Sequence, residues 1–190
     1  MSFVANTQVD TTGIDMNPPL PNSYWIRPGR FAAGEYPGDL DPCQATAKLK
    51  VLLRAGINYF IDLTGAAELR PYRNIAERVV RPLSVRVGYE RFPIADAGVP
   101  RSRERMALIL DAIDTALHDG KTVYVHCWGG VGRTGTVVGC WLVRHGESGA
   151  SALEQIARWW RGVEKVCRIP RSPETTDQMA YVFNWVEPSA

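Results

Sequence analysis

The sequence predicts an α/β fold: a central, mostly parallel sheet flanked by helices on both faces. Short β-branched and aromatic runs alternate along the chain with longer segments whose apolar residues recur at helical spacing. One such run, Thr122-Val123-Tyr124-Val125, passes through His126-Cys127 into the apolar segment Thr136 to Val143. Strands separated by helices need crossover connections, which favour parallel pairing and a sheet buried on both sides. At 190 residues, 45% hydrophobic and 22% charged, the chain suits a single domain with a sizeable core.

Residues 1–22, with Asn17-Pro18-Pro19-Leu20-Pro21, lack periodicity and are expected to be an extended or partly disordered lead, with one domain over 23–190. Tyr24-Trp25-Ile26 and Arg30 to Gly34 read as two short strands around Pro28-Gly29. A helix from Asp41 to Arg54 stops before Gly56, and Ile57 to Leu63 is a buried strand. Residues 66–80 read as helix interrupted near Pro71, and Val85 to Phe92 as another strand. Pro100 opens an amphipathic helix with Met106, Ile109, Leu110, Ile113 and Leu117 on one face and Gly120 beyond its end. Ser151 and Glu154 have the spacing of a capping box for a helix with Leu153, Ile156, Ala157 and Trp160 in one stripe. Ser172-Pro173 opens a last helix with Met179, Val182, Phe183 and Val186 inward.

The junction between the cradle strand and its helix carries the chemistry. His126-Cys127-Trp128-Gly129-Gly130-Val131-Gly132-Arg133-Thr134-Gly135 places a thiol, a glycine-rich turn and a guanidinium at a helix N-terminus. Backbone N–H groups there lack intrahelical partners and sit at the positive end of the helix dipole, so an oxyanion gains several hydrogen bonds at once. Glycines let the loop curl into an anion nest. Arg133 adds a planar fork that matches two phosphoryl oxygens. The same field favours a thiolate over a thiol, making Cys127 the expected nucleophile, with Thr134 able to donate its hydroxyl to the sulfur.

These ten residues resemble the HCX5R[ST]G signature of the cysteine-dependent protein tyrosine phosphatases, and the Trp-Gly-Gly stretch is similar to the compact dual-specificity branch around the cyclin-dependent-kinase-associated phosphatases. The resemblance implies a catalytic domain over 23–190 that hydrolyses phosphomonoesters through a phosphocysteine. It implies no metal and no cofactor, and it gives His126 the role of orienting the loop. Trp128, Gly129, Gly130, Val131, Gly132 and Arg133 would hold the phosphate. Phosphorylated proteins or peptides are the expected substrates, with phosphoinositides as a second class.

Expelling an alkoxide or phenolate needs a proton. Phe92 to Pro100 is bracketed by proline and glycine as a mobile loop, and its Asp96, 31 residues before Cys127, is the expected general acid and base. Similar phosphatases carry their acid on such a loop. Asp62 is the rival, since strand ends face the site in open α/β sheets, but it suits a bond to the Thr64-Gly65 turn better. Gln178 is a candidate to position water, against the plainer reading of a solvated glutamine. Arg70, Arg73, Arg101, Arg103, Arg105, Arg168 and Arg171 are candidates to rim an anionic substrate's site, the best being Arg101 and Arg103 beside the acid loop.

A net charge of +2 argues for neither nucleic acid nor a membrane surface. No apolar run approaches the roughly 20 residues that span a bilayer, and the opening residues do not read as a secretion signal, so a cytoplasmic location is expected. Cysteines 43, 127, 140 and 167 show neither metal spacing nor a dense disulfide framework. Cys43 and Cys167 are candidates to trap an oxidised Cys127. Two other functions remain open at this point: a rhodanese-like sulfurtransferase, against which the Arg-Thr-Gly exit and upstream acid argue, and an inactive phosphate-binding module.

Overall fold

The computed structural model describes residues 17–81 and 86–188. Among them, five strands form one sheet in the order β1-β2-β5-β3-β4. β1 (Ser23–Arg27) and β2 (Phe31–Gly34) are an antiparallel pair. β2, β5 (Val123–His126), β3 (Tyr59–Asp62) and β4 (Gly88–Arg91) then run parallel. The sheet is therefore mostly parallel, as the sequence predicts. β5 lies at its centre, and at its C-terminal end His126 is in register with Gly34 on one side and Asp62 on the other.

Alternate side chains along each strand face opposite layers. Tyr24, Phe31, Ile61, Val123 and Val125 pack with residues of α3 (Arg103–His118), α4 (Gly132–Arg144), α5 (Gly149–Trp160) and α6 (Thr176–Phe183). Trp25, Ala32, Phe60 and Tyr124 pack with α1 (Pro42–Arg54) and α2 (Arg73–Val80). Helix α4 is buried from Gly132 to Leu142, so its N-terminus is held rigidly beneath the loop that follows β5. No helix among the described residues is long and apolar enough to cross a membrane.

Several boundaries differ from expectation, each because a polar side chain has a better partner. Residues 66–80 are not one helix: α2 begins only at Arg73, and Glu68 instead closes a turn by accepting from Gly65 N at 2.9 Å. The helix expected from Pro100 begins at Arg103, because Ser102 accepts from Arg105 N as its cap. Helix α5 is capped by Ser148 rather than by Ser151, whose hydroxyl goes to Glu147. The last helix is opened by Thr175 in a reciprocal capping box with Gln178, while Ser172 donates to Val131 O at 2.8 Å. α6 ends at Phe183; Phe183 and Val186 face solvent, and Trp185, beyond the helix end, is buried instead.

The expected β4 over 85–92 is shorter, and Val85 lies outside the described residues. So does most of the expected lead, residues 1–16. From Asn17 onward the chain packs: Leu20 is buried and Trp25 Nε1 donates to Asn17 O at 3.0 Å.

Candidate active site

Cys127 follows the central strand and is buried at the floor of a pocket of about 240 Å³. Trp128, Gly129, Val131, Gly132, Arg133, Asp96, Ile169 and Glu174 line the rest. The sequence-predicted nucleophile, guanidinium and acid therefore meet in one place. Gly130 does not line this pocket, but its φ of +75° makes the turn, and a Cβ there would lie 2.4 Å from Gly34 C.

The loop's carbonyls are held from outside. Cys127 O receives His126 Nδ1 at 3.3 Å, Trp128 O receives Tyr36 N at 2.9 Å, Gly129 O receives Lys165 Nζ at 3.2 Å, and Val131 O receives Ser172 Oγ at 2.8 Å. In a trans peptide the carbonyl and the next residue's N–H point opposite ways. Each anchored carbonyl thus turns the following amide, that of Trp128, Gly129, Gly130 or Gly132, away from its anchor, and Trp128, Gly129 and Gly132 line the pocket. Among the described residues, the N–H groups of Trp128 to Thr134 donate to no protein acceptor, which leaves them available to an oxyanion at the N-terminus of α4.

His126 is wholly buried, ringed by Tyr36, Tyr72 and Tyr124. Burial pushes its imidazole down to about 4, which Asp62 only partly offsets, so it is neutral near pH 7. Because a carbonyl can only accept, Nδ1 carries the proton, and Nε2 accepts from Tyr72 Oη at 2.7 Å. Burial also drives Tyr72 well above the ordinary tyrosine range, so it remains a donor. His126 thus has the contact to the loop that the resemblance implied.

Asp62 faces away from this chemistry. Its Oδ1 accepts from Thr64 N and Oγ1 at 2.9 and 2.7 Å, and its Oδ2 from Tyr89 Oη at 2.6 Å and Arg91 at 3.0 Å. Burial would raise its carboxyl, but His126 and the bonds from Tyr89 and Thr64 outweigh it and hold Asp62 below the usual range.

Arg133 is only 2% exposed and lies between two carboxylates. Glu68 grips it bidentately, at 2.9 Å to Nη1 and 2.6 Å to Nη2, and Nη1 also donates to Ile94 O. Asp96, 71% exposed, lies 2.9 Å from Nη2. The Nη atoms thus make three hydrogen bonds, two to Glu68 and one to Ile94 O, with Asp96 in ion-pair contact at Nη2, whereas Nε has no hydrogen-bond partner among the described residues. A phosphoryl group taking Nε and Nη2 would displace Asp96 and leave Glu68 in place. Hydrogen bonding from Arg133 holds Glu68 below the usual carboxylate range.

Two expectations need correction. Thr134 makes no bond to the Cys127 sulfur: its Oγ1 is buried with no hydrogen-bond partner among the described residues. Thiol sulfur is a weak acceptor and gives the hydroxyl little to turn toward. Gln178 is fully buried rather than solvated. Its Oε1 accepts from Glu174 N and Thr175 N at 3.1 Å each, and its Nε2 donates to Gly98 O at 2.9 Å, so it straps the Asp96 loop to α6.

Of the arginines, Arg101 and Arg105 line a groove of about 660 Å³ beside the acid loop. Arg103 instead reaches Asn184 O, and Arg73 pairs with Glu77. Trp128, 61% exposed, walls the pocket mouth. Cys43 and Cys167 are exposed and do not line the Cys127 pocket.

Sequence reasoning missed Glu68, Tyr72, Lys165 and Ser172. Only Glu68 left a signal, as a carboxylate just beyond the C-terminal end of β3, where open α/β sheets place their sites.

Residues 20–178 match the family described as PTP-SAK: Swiss Army Knife protein, DSP-PTPase phosphatase domain. The chain belongs to this family. A putative tyrosine phosphatase, 067L, of invertebrate iridescent virus 3 is 33% identical over 98 residues, half of this chain and 38% of the viral protein. An uncharacterized protein of Methanocaldococcus jannaschii, MJECL20, is 31% identical over 115 residues, covering 60% of this chain and 69% of its own length. The chain thus spans well under half the length of the viral relative. Among solved structures, a mutant form of Tk-PTP superposes with a TM-score of 0.66 at 28% identity, covering 85% of this chain and 92% of that one. The kinase associated phosphatase KAP shares the fold, with a TM-score of 0.63 at 20% identity over 80% and 83% of the two chains. The dual-specificity and tyrosine phosphatase resemblance and the α/β fold are borne out.

Proposed function

We propose that this phosphatase domain hydrolyses phosphomonoesters of proteins or peptides through a phosphocysteine. The observation that carries this reading is the convergence of Cys127, Arg133 and Asp96 on one pocket, with Asp96 Oδ1 2.9 Å from Arg133 Nη2. Phosphate oxygens are held by the loop amides and by Arg133, and Cys127 sulfur attacks phosphorus in line. As the P–S bond forms, the P–O bond to the leaving group breaks and protonated Asp96 gives its proton to the departing oxygen. The Asp96 carboxylate then takes a proton from the water that attacks phosphorus, inorganic phosphate leaves, and the thiolate returns. His126 and Glu68 orient the loop and the guanidinium.

Phosphotyrosine is the leading substrate class. A TpbA variant of P. aeruginosa has been crystallised with phosphotyrosine and PTPMT1 with PI(5)P, so two leaving-group classes are met on this fold. Four free cysteines suit the reducing cytoplasm assigned in this reading. Rapidly quenched reactions analysed by mass spectrometry test the mechanism. Wild-type protein should show a phosphoryl adduct on Cys127, and Cys127→Ser should bind phosphotyrosine peptide without turnover. Turnover retained in Cys127→Ser would refute the nucleophile.

A further inference from the structure

Four contacts hold the loop's carbonyls outward, and three of them come from groups with little freedom: a backbone N–H, the adjacent buried histidine and a buried serine. The fourth is a charged side chain from a distant segment, Lys165 in the 3-10 turn Glu164–Cys167. It holds the peptide between Gly129 and Gly130, the one peptide of the loop with glycine on both sides. Such a peptide can flip at low steric cost. A flip would turn a carbonyl toward the oxyanion and remove an amide from it.

Lys165 is itself held. Its Nζ lies 2.6 Å from Glu35 Oε2, its backbone N donates to Asn22 Oδ1 at 3.1 Å, and Asn22 Nδ2 donates to the same Glu35 oxygen at 3.1 Å. The Lys165 and Glu35 side chains are 19% and 16% exposed, which limits screening by solvent. Glu35 directly follows Gly34, the backbone against which Gly130 packs.

We infer that Lys165, held by Glu35, is a positioning residue of the phosphate loop: its ammonium locks the Gly129–Gly130 peptide with the Gly130 N–H toward the bound oxyanion. This rests on the phosphatase reading above. Lys165 does not touch the reacting atoms and acts through one peptide plane.

The test compares wild type, Lys165→Met and Lys165→Arg for orthovanadate affinity, for kcat and KM on an aryl phosphate, and for the response of the Gly130 amide in nitrogen-15 spectra. Lys165→Met should bind vanadate about tenfold more weakly or worse, lose a like factor in kcat/KM, and show little vanadate response at Gly130. Lys165→Arg should recover much of each. A change in melting temperature alone, with vanadate affinity and the Gly130 response unchanged, would overturn the assignment. If wild type binds vanadate but hydrolyses nothing, the phosphatase reading falls, while weaker vanadate binding by Lys165→Met would still support the role of Lys165.

Discussion

Acidification should destabilise this protein through His126 before its carboxylates titrate. In the folded chain the imidazole gains a proton only near pH 4, because burial among three tyrosines disfavours the cation. In the unfolded chain it does so near its ordinary value of 6.5. The stability is present in full above pH 6.5 and is lost as the pH falls toward 4, since the unfolded state then binds one proton more. At about 1.4 kcal/mol for each pH unit, the loss reaches about 2 kcal/mol by pH 5 and about 3 kcal/mol when complete. Asp62 and Glu68, both held below the usual carboxylate range, contribute at lower pH, so the interval from 6 to 4.5 belongs to His126. Urea unfolding followed by tryptophan fluorescence at half-unit steps should give a slope approaching 1.4 kcal/mol per pH unit there, roughly one proton. His126→Gln should flatten it. Tyr72→Phe, which loses the donor to Nε2 but keeps the imidazole, should lower stability throughout and retain the slope. A flat wild-type profile, or an equal slope in His126→Gln, would mean that His126 does not carry this dependence.

Asp96→Asn should slow hydrolysis of alkyl phosphates by about 10²–10⁴-fold and of activated aryl phosphates less, while lowering KM because a competitor for Arg133 Nη2 is gone; equal slowing for both substrates would point to another acid. Glu68→Gln should cost about 1–3 kcal/mol of stability and about tenfold in kcat/KM, because a charge-assisted bond to a buried guanidinium becomes a neutral one. Chemical denaturation and steady-state kinetics read the two effects separately. Gly130→Ala should weaken phosphate binding sharply in titration calorimetry: it adds a Cβ 2.4 Å from Gly34 C at a φ of +75°, and backbone atoms cannot swing aside as a side chain can.

What could be read in the sequence was what neighbours along the chain decide. The strand into Cys127, the turn through Gly130 and the helix from Gly132 follow from dihedral preferences and hydrophobic spacing over about twenty residues. The nucleophile and its guanidinium sit within that span, so their meeting needs no distant contact. Asp96 was legible because proline and glycine mark its loop, though its ion pair with Arg133 was not. Ser151 and Ser172 show the limit even locally, since each fits a helix start by spacing and each donates elsewhere in the fold.

The partners that hold the site in shape were decided by tertiary structure alone. Glu68 grips Arg133 across 65 residues, Lys165 reaches Gly129 across 36, and Gln178 reaches Gly98 across 80. Polar side chains choose partners by proximity and desolvation. Here proximity is created by strand order, which sets β5 between β2 and β3 and brings Glu35 and Glu68, just beyond those strands, to either side of one loop. That order emerges only when the whole sheet is assembled.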